Sequence, residues 1–174
     1  MALPNFDLMW TNFPDHTKYP TLRDLHNFIG GALAKNIDIP GFGANGNTCA
    51  VRLSRALNYG SMPISGNITK PLKIRTLTGG DGNLYIFSVR EMKAYLAAAL
   101  AVTPVDVYDK FSEAFSGKRG LVSFDVSGWS NATGHVALWD GSDFRESHDD
   151  YRNLSDNPLT PVIEGTKAMT LWEI

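Results

Sequence analysis

Two periodicities of this chain are separated along its length, and that separation limits the folds open to it. Through about residue 115 apolar side chains recur at helical spacing; from Leu121 onward they come in short extended runs bounded by turn residues. Thr21 with Asp24 three residues on predicts a capped helix start, and Leu22, Leu25, Phe28 and Ile29 make its stripe, which Gly30 and Gly31 interrupt. Cys49, Leu53 and Leu57 fall at i, i+4 and i+8, so the spacing predicts a helix over 48–58, with Asn47 as N-cap and Gly60 as stop. Leu84 to Val89 reads as a short strand, leading into a helix through Met92, Tyr95, Leu96 and Leu100 that Thr103-Pro104 ends. Val107, Phe111 and Phe115 predict one more short helix. The stretch to Tyr19 reads as aromatic and turn-rich, and 68–78 as extended or loop. In the last third, Leu121 to Val126 and His135 to Trp139 read as strands. Asp140 to Asp143 reads as a hairpin turn, Phe144 to His148 as its returning strand, and Met169 to Ile174 as a closing strand. Helices first and an antiparallel sheet afterwards argue the α+β class.

The 174 residues suit one domain, 1–174. Hydrophobic residues make up 43% and charged residues 20%, as in ordinary globular chains. A net charge of −2 carries no basic excess, so no nucleic-acid partner is expected. The most apolar run, Ala97 to Val102, falls far short of the roughly 20 residues a bilayer requires, and no membrane insertion is expected. The opening MALPNFDLMW lacks the basic region and apolar core of a secretory signal, so the chain is expected to be made in the cytoplasm without a signal peptide. One cysteine excludes an internal disulfide, and with four scattered histidines it gives no zinc spacing; neither metal nor cofactor is expected.

The lone Cys49 raises the question of a nucleophile. A catalytic thiol must be available as thiolate, and unpaired N–H groups at a helix start favour an anion. Pro40 to Gly46 is a glycine-rich loop that leads into Asn47-Thr48-Cys49 and would leave room for a substrate chain. The Cys49 backbone N–H, with an Asn45 or Asn47 side chain, would supply oxyanion donors. The competing reading is a small buried hydrophobe, a common fate for free cysteine.

A thiol nucleophile requires a base, and a third group to orient it. His16, in a turn-rich segment, and His26, on the polar side of the first helix, read as surface residues. His135 opens an apolar strand behind a flexible loop, with Gly134 leaving space beside it; taken alone it reads more readily as a satisfied core or surface histidine than as a base. If the hairpin turns symmetrically about Gly141-Ser142, Trp139 pairs with Phe144, Ala137 with Glu146 and His135 with His148. Glu146 and His148 then share a face with His135, while Asp140 points away. Without such a role Glu146, Arg145, Asp149 and Asp150 read as solvated charges.

Asn47-Thr48-Cys49-Ala50-Val51-Arg52-Leu53-Ser54-Arg55-Ala56-Leu57-Asn58 resembles the nucleophile segment of the fourth family of type VI secretion amidase effectors. Gly134-His135-Val136-Ala137-Leu138-Trp139-Asp140-Gly141 resembles that family's histidine segment, and Tyr85-Ile86-Phe87 with Val89, Glu91, Met92 and Tyr95-Leu96 its middle region. The resemblance spans about Asn47 to Gly141. It implies a papain-like fold of the murein-peptide amidase kind, with Cys49 as nucleophile and His135 as base. The family's third residue is an aspartate eleven positions past the histidine; that position here is Glu146, one methylene longer, so His148 and Asp140 stay open as alternatives. The resemblance further implies hydrolysis of the γ-D-glutamyl–meso-diaminopimelate bond in peptidoglycan stem peptides. Its partners would be the type VI secretion apparatus, which delivers such toxins to the periplasm of rival bacteria, and a cognate immunity protein that plugs the groove. Two other readings remain. One is a different papain-like cysteine hydrolase or acyltransferase, told apart by its products. The other is a non-enzymatic binding module, told apart by an unreactive thiol.

Overall fold

The computed structural model describes residues 3–39, 47–129, 134–154 and 164–174. Its helices are α1 (Phe6–Asn12), α2 (Leu22–Ile29), α3 (Gly31–Lys35), α4 (Cys49–Tyr59), α5 (Gly66–Thr69) and α6 (Val89–Ala99). Its strands are β1 (Thr76–Thr78), β2 (Leu84–Ile86), β3 (Val105–Val107), β4 (Gly120–Ser127), β5 (Gly134–Trp139) and β6 (Gly165–Glu173). β1 and β2 form a hairpin; the larger sheet runs β3-β6-β4-β5, antiparallel throughout. The fold is α+β, as expected: a helix beginning at the cysteine lies against an antiparallel sheet bearing the histidine, the arrangement of a papain-like cysteine peptidase. Among the described residues no helix is long and apolar enough to cross a membrane.

Local chemistry explains the elements that hold this frame. Thr21 and Asp24 form the capping box, each side chain bonding the other's backbone N–H, so α2 starts where the sequence predicts. α4 is buried almost all round. Leu53 and Leu57 pack among Met9, Met92, Leu96, Val136 and Leu138, each such side chain contributing about 1.5–3 kcal/mol of burial. Alternation along the sheet gives two cores. Leu121, Val136 and Leu138 face the helices; Val122, Phe124, Ala137 and Trp139 face the opposite side with Met169 and Leu171.

Four expectations are corrected. The stretch before Tyr19 holds α1, capped by Asn5, whose side chain accepts from the Leu8 N–H at 3.0 Å. Residues 68–78 include the last residues of α5 before β1 begins. Val107 ends a short strand rather than opening a helix, because β3 pairs with β6 and only one 3-10 turn, Phe111–Glu113, follows. Beyond Trp139 the hairpin closes as expected at the Trp139–Phe144 bridge, but no strand follows; the chain enters a 3-10 turn, Ser147–Asp149. The glycine-rich loop 40–46 and most of the loop before Gly134 lie outside the described residues.

Candidate active site

Cys49 opens α4 and is buried. The capping differs by one position from expectation: Thr48 is the cap residue and its side chain makes no cap bond. Asn47 instead accepts from the Cys49 N–H at 3.0 Å, the two-residue bridge that Asn side chains form readily. The amide nitrogen of Asn47 donates to the Gly134 carbonyl at 3.4 Å. One side chain therefore clasps the helix start to the first residue of β5, the edge strand of the sheet, next to His135. The Cys49 N–H, expected as an oxyanion donor, is bonded to Asn47 in this state. Asn45 lies outside the described residues.

β5 carries His135 on the face shared with Ala137 and Trp139, as strand alternation requires. Gly134 is needed there for a reason other than room for the ring. A Cβ at that position would lie 2.1 Å from the Phe124 carbonyl oxygen of β4, so close strand approach demands glycine. The imidazole is buried, 4.7 Å from the Tyr151 ring centroid and 6.4 Å from that of Phe124.

The carboxylate on His135 is Asp149. His135 Nε2 and Asp149 Oδ1 are 2.8 Å apart, which leaves Nδ1 for the thiol. Asp149 is 1% exposed, not the solvated charge its neighbours in sequence suggest, and its Oδ2 has no hydrogen-bond partner among the described residues. Burial alone would lower the His135 pKa. The charge of Cys49, the Asp149 hydrogen bond and the Cys49 hydrogen bond together overcome that and raise it well above its ordinary value. The ring thus favours its protonated form, between the Cys49 sulfur and the Asp149 carboxylate.

Glu146, placed on His135's face by the symmetric hairpin and favoured by the family resemblance, bonds elsewhere. Its Oε1 accepts from the His16 backbone N–H at 2.6 Å, and its Oε2 lies 2.7 Å from His16 Nδ1. Burial works to raise the Glu146 pKa, but the bonds from His16 and the nearby His148 outweigh it, and the carboxyl stays below its ordinary range. His148 faces His16 at 2.9 Å and is 3.9 Å from Asp149. Asp140 caps the tight turn by accepting from the Ser142 and Asp143 N–H groups. The symmetric hairpin register ends at the Trp139–Phe144 bridge. Pairing beyond Phe144 would have put Glu146 opposite Ala137; the 3-10 turn instead swings Asp149, three residues later, onto the ring. Ser147-His148-Asp149-Asp150 held the signal, since Ser and Asp are poor strand formers and ready turn formers.

Sequence reasoning also missed Arg52. It is 1% exposed, and its Nε donates to Thr48 Oγ at 3.0 Å while the two terminal nitrogens donate to the Pro14 and Tyr19 carbonyls. Burial lowers its pKa, opposed by the charges of Glu146, Asp149, Asp15 and Cys49, which places the guanidinium beside the site. His26, expected at the surface, is 2% exposed, and burial brings its pKa down to about 4.

Three kinds of comparison set this geometry among known proteins. A family model described as type VI secretion system (T6SS), amidase effector protein 4, Tae4, matches residues 45–172. Among solved structures, the chain is similar to the effector–immunity system Tae4/Tai4 from Salmonella typhimurium, at 30% identity and TM-score 0.77. The type VI effector–immunity complex Tae4–Tai4 from Enterobacter cloacae gives 29% and 0.79. A Salmonella typhimurium Tae4 bound to the immunity protein Tai4 of Enterobacter cloacae gives 32% and 0.77. In each case 99% of this chain and 99% of the other are covered. No curated protein matches by sequence.

Proposed function

This chain belongs to the family of type VI secretion system amidase effector protein 4, and on that premise we propose that it cleaves peptidoglycan stem peptides by cysteine catalysis. The bond is the amide between the γ-carboxyl of D-glutamate and meso-diaminopimelate, in the periplasm of a rival cell. A cognate immunity protein, as in the Tae4–Tai4 complexes, protects the producer. The observation that carries the chemistry is the buried His135 ring, hydrogen-bonded to Cys49 on one side and to Asp149 on the other.

The steps follow from that geometry. Cys49, as thiolate, attacks the γ-carbonyl, and its electron pair forms the carbon–sulfur bond. The protonated His135 gives its proton to the leaving amine of diaminopimelate as the amide C–N bond breaks, leaving a thioester. Neutral His135 then takes a proton from water, whose oxygen attacks the thioester. The carbon–sulfur bond breaks, the γ-carboxyl product leaves and gives its proton to solvent, and the thiolate–imidazolium pair is restored. Asp149 fixes the ring tautomer and supports the imidazolium. The Cys49 N–H joins in stabilising the oxyanion once Asn47 releases it.

Digestion of purified sacculi, with products separated by chromatography and identified by mass, tests the reading. The expected products carry a new free amine on diaminopimelate. Cys49→Ala and His135→Ala chains should release none; undiminished release by either would overturn the mechanism.

A further inference from the structure

Outside the Cys49–His135–Asp149 group, three more side chains converge at the mouth of the same turn. Among the described residues His16, Glu146 and His148 form a group with metal-ligand spacing. His16 Nδ1 is 2.7 Å from Glu146 Oε2 and 2.9 Å from His148 Nε2, and the last two atoms are 3.7 Å apart. Protons serve this arrangement poorly. His16 Nδ1 carries at most one proton, yet it faces both a carboxylate oxygen and a second ring nitrogen. A cation would satisfy all three lone pairs at once.

We propose that His16, Glu146 and His148 bind a divalent transition-metal ion of the zinc class. The three atoms lie within reach of one ion: a point about 2.05 Å from all of them exists. His16 Nδ1 stands closer to its two partners than the roughly 3.3 Å between tetrahedral ligands with bonds of that length, so its ring must swing outward as the ion enters. The site is built rather than incidental. Glu146 is 8% exposed, and its other oxygen is already held by the His16 N–H at 2.6 Å, which aims Oε2 at the two rings. The rings open onto a cleft of about 460 Å³ that Asp15, Thr17 and Arg145 also line, so water or a ligand carboxylate can fill the fourth position. Local charge permits a cation: the carboxylates of Asp15, Glu146 and Asp149 face the guanidiniums of Arg52 and Arg145, and Arg145 is drawn toward Asp15 at 3.5 Å. Sequence spacing hid the set, because His16 lies 130 residues from Glu146.

The ion would cross-link the N-terminal segment to the turn that carries Asp149. It would thereby hold in place the carboxylate that orients His135. It takes no part in the thioester chemistry, and its binding does not depend on the amidase reading.

The full chain, freed of metal with chelator, is titrated with zinc by calorimetry and with cobalt by visible spectroscopy. One ion per chain is expected. The cobalt spectrum should show a low-coordinate nitrogen–oxygen site without a thiolate charge-transfer band, and should be unchanged in Cys49→Ala. His16→Ala, His148→Ala and Glu146→Gln should each weaken binding at least about tenfold, since even outer-sphere partners of metal ligands contribute that much. Proton NMR of the cobalt-loaded wild-type chain should give the ring signals of His16 and His148 the large contact shifts of ligated imidazoles and those of His26 only smaller through-space shifts, which tests the assignment without any substitution. Failure to bind one ion saturably, loss of binding with Cys49→Ala, unshifted His16 and His148 rings, or full affinity in the histidine variants would each overturn the site.

Discussion

Asp149 and Glu146 stand three residues apart on one turn, and their partners separate their work. Asp149 bonds the His135 ring; Glu146 is engaged by His16. Asp149→Asn keeps the shape but removes the charge that supports the imidazolium, and its amide can favour the wrong tautomer. In sacculus digestion, kcat should fall about 10²–10⁴-fold, as for the equivalent change in a serine triad. Glu146→Gln, assayed in chelator, should stay within about tenfold of wild type. Equal losses would return Glu146 to the site. The charge on His135 also predicts a pH effect on stability. Its folded pKa, about 10, lies above the ordinary 6.5. Its contribution is therefore complete below pH 6.5 and is lost as pH rises toward about 10. The Tm difference between wild type and His135→Asn should be largest near pH 6 and shrink steadily above it in scanning calorimetry; a difference that grows with pH would contradict the charge assigned to the ring. Cys49 and His135, the proposed nucleophile and base, stood out in the sequence because each sits inside an element of clear periodicity. The orienting carboxylate could not, because it lies just past the point where that periodicity stops.

Elements with a sustained repeat were legible: α2 with its capping box, α4 with its i, i+4, i+8 stripe, and the apolar runs of β4 and β5. Short elements fixed by tertiary contact were not. α1 is seven residues long, and only Asn5 with Phe6 and Met9 marks it; β3 exists because β6 offers it a partner. The candidate site depends on how the legible elements are joined. Gly134 begins β5 so close to β4 that any side chain would meet the Phe124 carbonyl, and Asn47 ties this same residue to the start of α4. Gly134→Ala must push the strands apart at the residue before His135. We expect a loss of about 1–3 kcal/mol from overpacking, seen as a lower midpoint in urea. Activity in the fraction that stays folded should fall further than stability alone accounts for, since His135 moves relative to Cys49. An alanine chain with normal midpoint and normal kcat would show that β4 and β5 can separate there without disturbing the site.

Across the whole molecule, the first twenty residues lie ahead of the matched family region yet are fastened to the site from several directions. The Asn5 N–H donates to the Gly60 carbonyl just past α4, Arg145 donates to the Trp10 carbonyl, and His16 holds Glu146. Arg52 is the centre of this fastening. From one turn past Cys49 it reaches two carbonyls of the N-terminal segment, Pro14 and Tyr19, and the hydroxyl of Thr48 beside Cys49. Burial disfavours its charge, and the carboxylates of Glu146, Asp149 and Asp15 offset that cost. Arg52→Met keeps much of the volume but leaves those oxygens without a donor and the nearby anions without their counter-charge. Unpaired buried groups cost about 1–3 kcal/mol each, so a loss of about 3–5 kcal/mol is expected. For a chain of this size that lowers Tm by roughly 6–20 °C. Arg52→Lys restores one charge but cannot reach all three oxygens, so its Tm should fall between the two. Limited proteolysis should cut the Arg52→Met chain near Lys18 while the wild type resists, because the segment is released before the sheet unfolds. Equal Tm for Arg52→Met and wild type would mean the segment is held by its apolar contacts alone, through Phe6, Met9 and Phe13.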